Sequence, residues 1–185
     1  MDLSETELAQ VRRLLDVDAI QAVMLRYARA VDRADQQLMG SVFWPGGTDN
    51  HGMYDGDVAG LFERALRSRD DDGRARHHLL GIPQVLAWAG DRASVETYFF
   101  FVGAFGAGPN VNLGMIDEPT IGFSGGRYRD LFEKRDGIWK VLRRVTIYDW
   151  AEARPYEPAW NFFKIPVGVN RGAIEPLDAT YESDW

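Results

Sequence analysis

A change of hydrophobic period near the middle of the chain limits its fold more than any other feature. As far as about Arg69, apolar residues recur three and four apart, the spacing of one helix face; from His77 to Tyr148 they come in alternating or continuous runs broken by turn residues. Helices first and a curved antiparallel meander after them is the order of an α+β domain. With 185 residues, one domain with a substantial core is the expected count.

The pattern resolves into elements. Ser4 and Glu7 form a capping-box signature ahead of Leu8, Val11 and Leu15, and the stripe continues through Ile20, Val23, Met24, Tyr27, Ala30 and Val31. Asp16 and Asp18 suggest a break between two helices. A helical turn or two is expected over Gln36–Phe43, then a loop at Trp44, Pro45, Gly46 and Gly47, a short strand over Asp49–Tyr54, and a helix over Asp57–Arg69. A charged turn at Arg69–Arg74 leads to strands over His77–Trp88, Ala93–Phe105, Ile121–Lys134 and Ile138–Tyr148. The last two meet at Arg135, Asp136 and Gly137, a strong hairpin signal. The Gly-, Pro- and Asn-rich stretch 106–119 is long enough for a lid or an interface element. From Asp149 no period is visible, so 151–185 is expected to be an extended tail on the domain, 1–150, or on a neighbouring subunit.

Composition narrows the chemistry. A net charge of −7 disfavours a nucleic-acid or anionic-membrane partner, since both need a cationic surface. The N-terminus lacks the basic start and apolar run of a signal peptide, and no stretch of about 18 apolar residues occurs, so a soluble, cytoplasmic protein is expected. Without cysteine there is no disulfide, thiolate metal site or Cys nucleophile. Lys134 and Lys140 flank a turn, which argues against Schiff-base chemistry. No G-x-S-x-G, Walker or dinucleotide motif is present.

Three histidines remain for proton transfer near neutral pH: His51, His77 and His78. Adjacent strand residues face opposite ways, so at most one of His77 and His78 can face a shared cavity. Asp32, five positions after Tyr27, sits at the edge of the helical stripe, where its carboxylate could orient an imidazole from a facing strand as in a His–Asp dyad; a solvated helix end is the alternative. A competing arrangement places Asp49, His51 and His78 around iron, but without a recognisable metal motif, and no metal is expected. One of Arg143 and Arg144 should point inward, to an anionic leaving group or to Asp32. The aromatic residues Phe43, Trp44, Trp88, Tyr98, Phe99, Phe100, Phe101 and Tyr148 fit either a plain core or a pocket for an apolar, aromatic or polycyclic ligand.

The segments IQAVMLRYARAVDRAD, SVFWPGGTDNHGMYDG, RARHHLLGIPQV, GDRASVETYFF and GRYRDLFEKRDGIWKVLRRVTIYDW, in that order, resemble the SnoaL-like branch of the nuclear transport factor 2-like superfamily over about residues 15–150. The resemblance implies a cone-shaped curved sheet wrapped by helices around a deep pocket, and usually a homodimer or homotrimer. It also implies a cofactor-independent lyase that expels water, halide or formaldehyde from a hydrophobic substrate, in the manner of the family's dehydratases, dehydrochlorinases and lignin-dimer lyases. Aromatic-compound catabolism is the setting this suggests. By the family pattern Asp32 and His78 are the catalytic dyad, Tyr27 a catalytic pocket residue and Arg144 a substrate contact, with Tyr27 or His51 expected to help the leaving group depart as acid; His51, Tyr98, Trp44, Phe43 and Tyr148 complete the expected substrate wall. The usual Asn four residues after the histidine is Ile82 here. The same fold also serves isomerases, cyclases, non-catalytic binding modules and small subunits of aromatic-ring dioxygenases.

Overall fold

The computed structural model describes residues 2–67, 76–110, 113–156, 172–173, 175 and 178–181. Among the described residues, three α-helices, α1 (Glu5–Arg33), α2 (Gln36–Gly40) and α3 (Val58–Arg67), pack on a seven-stranded sheet that does not close. Its strands are β1 (Phe43–Asn50), β2 (Asp55–Asp57), β3 (Arg76–Leu80), β4 (Gln84–Ala89), β5 (Arg92–Phe105), β8 (Thr120–Arg135) and β9 (Ile138–Pro155). They run in the order β2-β1-β9-β8-β5-β3, with β4 also on β5. The α+β reading holds, with one parallel pairing, β1 on β9, in an otherwise antiparallel sheet.

The capping box forms as its residues predict: Ser4 Oγ accepts from the Glu7 N–H while Glu7 accepts from the Ser4 N–H at 2.8 Å. No break occurs at Asp16 and Asp18. Asp16 instead accepts from Lys134 Nζ at 2.7 Å and Trp139 Nε1 at 2.8 Å, which ties the middle of α1 to the β8–β9 hairpin. Past that tie, Ile20, Val23, Met24, Tyr27 and Ala30 are buried against Val95, Phe99, Tyr128, Phe132, Trp139 and Val141. Each large apolar side chain so buried contributes about 1.5–3 kcal/mol. The earlier part of the stripe, Leu8, Val11 and Leu15, stays exposed.

Several expected boundaries move. β1 begins at Phe43 and passes through Pro45, Gly46 and Gly47; its ladder to β9 shifts register between Phe43 and Thr48, so Pro45 has no ladder bond to lose. It ends at Asn50, and Asp49–Tyr54 is not one strand. The single strand expected over His77–Trp88 is two, β3 and β4, divided by Gly81, Ile82 and Pro83 and both paired to β5. The stretch 106–119 carries a small hairpin, β6 (Gly108–Asn110) with β7 (Gly114–Ile116). β9 continues past residue 150 to Pro155, paired to β8 throughout. The charged turn expected over Arg69–Arg74 and most of the tail lie outside the described residues. What is described of the tail packs back on the domain: Arg33 Nε lies 3.4 Å from Asp178, and the Tyr181 hydroxyl donates to Asp35 at 2.8 Å.

Curvature has a local source. β8 and β9 slip register between Gly125 and Gly126, and a Cβ on Gly126 would run into the carbonyl oxygen of Ile147. This bulge bends the two longest strands around the space beside α1.

Candidate functional site

The bend encloses a cavity of about 570 Å³ between the sheet, the end of α1 and α3, mainly apolar in its lining, with Val31, Met39, Phe43, Phe62, Phe99, Phe101 and Phe123 in its walls. Such a volume suits a small organic ligand. Placed polar groups interrupt the wall at His78, His51, Tyr27, Tyr128 and Tyr148.

His78 reaches the cavity from β3, while His77 is exposed, as the alternation of a strand requires. Asp32 comes from the last turn of α1, which ends when Ala34 takes a left-handed conformation (φ 60°) and its N–H bonds Ala30 O. The carboxylate grips one residue twice: Oδ1 accepts from His78 Nδ1 at 2.6 Å and Oδ2 from the His78 backbone N–H at 3.0 Å. A carboxylate accepts only, so Nδ1 is the donor in this pair and Nε2 is the ring nitrogen not engaged by Asp32. Phe101, centroid 4.8 Å away, and Tyr27, 6.2 Å away, hold the ring.

His51 follows the end of β1 and also lines the cavity. Its Nδ1 lies 3.1 Å from Asp49 Oδ1 and 3.1 Å from Thr146 Oγ1, and Asp49 is wholly buried. The alternative iron triad does not assemble: Asp49 and Asp32 each hold a different histidine, and among the described residues no three His, Asp or Glu side chains are spaced for a metal ion.

Tyr27 is buried in the wall, its ring 5.4 Å from that of Tyr128, and burial pushes its hydroxyl up to about 12. Burial likewise raises Tyr128 and Tyr148, so all three phenols are neutral hydrogen-bond donors at ordinary pH.

Arg144 is not a cavity residue. It points inward, as expected of one of the two arginines, but pairs with neither Asp32 nor open space. Its Nε and Nη2 meet Asp130 Oδ1 and Oδ2 at 2.7 and 2.8 Å, and its guanidinium lies 4.0 and 4.1 Å from the ring centroids of Tyr27 and Tyr128. Burial alone would lower the arginine, but the charge and bonds of Asp130 hold it above its ordinary value. Two further expected contacts fall elsewhere. Tyr98 alternates with Phe99 and Phe101 and is therefore on the outer face, 60% exposed. Trp44 donates to Glu133 O at 2.8 Å under the cations Arg135 and Lys140, off the cavity. Phe43 and Tyr148 do line the wall. Ile82, where the family pattern carries Asn, lies between β3 and β4 and is 84% exposed, so it offers the cavity no such polar contact.

Asp130, Tyr128 and Thr146 were not singled out from the sequence. A signal existed for the first: Tyr128, Asp130 and Phe132 share one face of β8, and an acid flanked by two large inward residues calls for a buried partner.

Residues 12–145 match the model of the SnoaL-like domain. The chain belongs to the SnoaL-like family. Among solved structures, this SnoaL-like protein is similar to a type 2 hexachlorocyclohexane dehydrochlorinase, with 15% identity over 82% of this chain and 99% of that one and a TM-score of 0.67. It is similar to a provisionally assigned scytalone dehydratase from Novosphingobium aromaticivorans, with 18% identity over 78% and 90% and a TM-score of 0.60. A third, the β subunit of a provisionally assigned aromatic-ring-hydroxylating dioxygenase from the same organism, shares 21% identity over 77% and 92%, with a TM-score of 0.56. At these identities the likeness is one of fold. No curated protein matches the sequence. Among the described residues, no helix is long and apolar enough to cross a membrane.

Proposed function

We propose that the protein is a cofactor-independent lyase acting on a hydrophobic, aromatic or polycyclic small molecule. The observation that carries this reading is the double grip of Asp32 on His78 at the wall of an apolar cavity. A base whose ring is held through Nδ1 beside a mainly apolar cavity is arranged to take a proton from carbon. In this reading His78 Nε2 removes a proton made acidic by a neighbouring carbonyl, and a group on the next carbon departs as the double bond forms. The neutral phenol of Tyr27 hydrogen-bonds the oxygen on which charge develops. A scaffold subunit or binding module has no need of such a clamp.

β-Hydroxypropiophenone and β-chloropropiophenone test the reading, because both give phenyl vinyl ketone, which is followed by its absorbance. The wild-type protein is expected to accelerate both eliminations. His78→Ala and Asp32→Asn should each lower turnover about 100-fold or more, the range of a positioned general base, while circular dichroism stays that of the folded protein. Undiminished turnover in both folded variants contradicts the assignment.

A further inference from the structure

One strand presents both the proposed base and a buried cation to the cavity. β3 alternates along its length: Arg76, His78 and Leu80 face inward, His77 and Leu79 outward. Arg76 is 8% exposed and lines the cavity. Among the described residues two further charged side chains reach the wall besides the histidines, Arg64 from α3 and Glu152 from the end of β9. Arg64 is half-buried and Glu152 exposed, so water screens both more than it screens Arg76. Asp32, the carboxylate beside His78, gives both its oxygens to that residue.

The two inward heads sit on different rings of one apolar floor. β3 runs antiparallel to β5, with His78 opposite Phe101 and Arg76 opposite Gly103. The His78 ring lies 4.8 Å from that of Phe101, and the Arg76 guanidinium 5.3 Å from that of Phe105. Both phenylalanine rings lean over Gly103, where a Cβ would come within 2.6 Å of Phe101 Cζ and 3.4 Å of Phe105 Cζ. The floor between the two heads is therefore continuous and aromatic. Two residues along a strand set the Cα atoms of His78 and Arg76 about 6.6 Å apart. A guanidinium carries five N–H donors in a planar fork, enough to hold a carboxylate besides any neighbour within the protein.

We infer that the substrate is an aromatic carboxylic acid, bound with its carboxylate on Arg76, its acidic C–H at His78 and its aromatic body on Phe101 and Phe105. The inference rests on the lyase reading above and narrows its substrate class. The carboxylate is remote from the carbon that loses the proton, because the arginine and the histidine sit on different rings of the floor. Arg76 binds and orients; proton transfer stays with His78. A neutral hydrocarbon body alone would leave a buried charge against an apolar ligand, which the carboxylate avoids.

Three ligands without a leaving group separate charge from shape: 4-propionylbenzoate, its amide 4-propionylbenzamide, and 2-propionylbenzoate, whose carboxylate adjoins the ketone. By calorimetric titration the wild-type protein is expected to bind the para acid at least about 10-fold more tightly than the amide, the scale of a charge-assisted hydrogen bond, and to show no such gain for the ortho acid. Folded Arg76→Gln should bind para acid and amide alike, Arg76→Lys should restore part of the preference, and His78→Ala should keep it. Equal affinity for para acid and amide in the wild type overturns the inference, and that comparison does not depend on variant folding. So does an undiminished preference in folded Arg76→Gln, or an ortho acid bound as tightly as the para acid. In turnover, Arg76→Gln should raise KM for 4-(3-hydroxypropanoyl)benzoate about 10-fold and leave its kcat within about 3-fold, a split that a merely structural loss would not give. The lyase reading is judged apart. His78-dependent elimination without any preference for the acid overturns the inference alone; a preference for the acid without elimination of any ketone overturns the lyase reading and retains Arg76 as a carboxylate site.

Discussion

At the residue scale, the buried pair Arg144–Asp130 shows how position changes the meaning of a side chain. The arginine of the family pattern looked like a substrate contact; in the structure it is wholly buried, doubly bonded to Asp130 and stacked between two tyrosines that form the cavity wall. Its role is to support that wall. Arg144→Met alone should therefore cost about 3–5 kcal/mol in denaturant unfolding, because it strands a buried carboxylate. Arg144→Met with Asp130→Leu should recover most of that loss, since neither charge is then left unpaired. An arginine in direct contact with substrate would instead give a variant of near-normal stability with a raised KM. The sequence places one of Arg143 and Arg144 inward by alternation alone, but its partner lies 14 residues away on another strand, and only the fold can choose between Asp130 and Asp32.

Elements that bury one face were readable from sequence, and those that bury neither face were not. α1 from Ile20 to Ala30 and the β8–β9 hairpin declare themselves by period and by turn chemistry: Asp136 and Gly137 take the positive φ values, 49° and 81°, that a two-residue hairpin turn requires. The end of β9 carries no such signal. Residues 149–155 are all exposed, so no alternation marks them, although their backbone pairs with β8. The unbroken course of α1 past Asp16 was hidden for a related reason, since the lysine and tryptophan that receive the carboxylate lie more than 100 residues further on.

The end of α1 that carries Asp32 is itself fastened, by the segment around Asp178. Glu175 N–H donates to Arg33 O at 2.8 Å, and Asp178 accepts from Ala173 N–H at 2.9 Å and Thr180 N–H at 3.0 Å, beside Arg33. Burial alone would raise the Asp178 carboxyl, but these bonds and Arg33 hold it at about 2, below its ordinary 3.8. A depressed folded-state value means the stabilisation is complete above the unfolded value and is lost as pH falls through the folded one. The melting temperature should accordingly drop between about pH 4 and pH 2, and Asp178→Asn should flatten that part of the profile while lowering stability at pH 7 by about 1–2 kcal/mol.

For the whole molecule, the order of helices and strands gave the α+β class, and the family resemblance carried Asp32 and His78 to the same site. The resemblance also implied a pocket, but its walls were not readable residue by residue, because they depend on the register slip between β8 and β9 at Gly125 and Gly126 and on α3 closing one side. The contacts that failed, Tyr98 and Trp44, failed because aromatic density does not reveal which face of a strand is concave. Those that line the wall with His78 are His51, Phe43 and Tyr148, and the reaction proposed for that space begins with one proton transfer from carbon. That transfer can be observed without any leaving group, as exchange of the α-protons of propiophenone in deuterated water followed by proton NMR. The wild-type protein is predicted to catalyse the exchange and folded His78→Ala to lose about 100-fold or more of it; exchange as fast in His78→Ala as in the wild type would contradict the account.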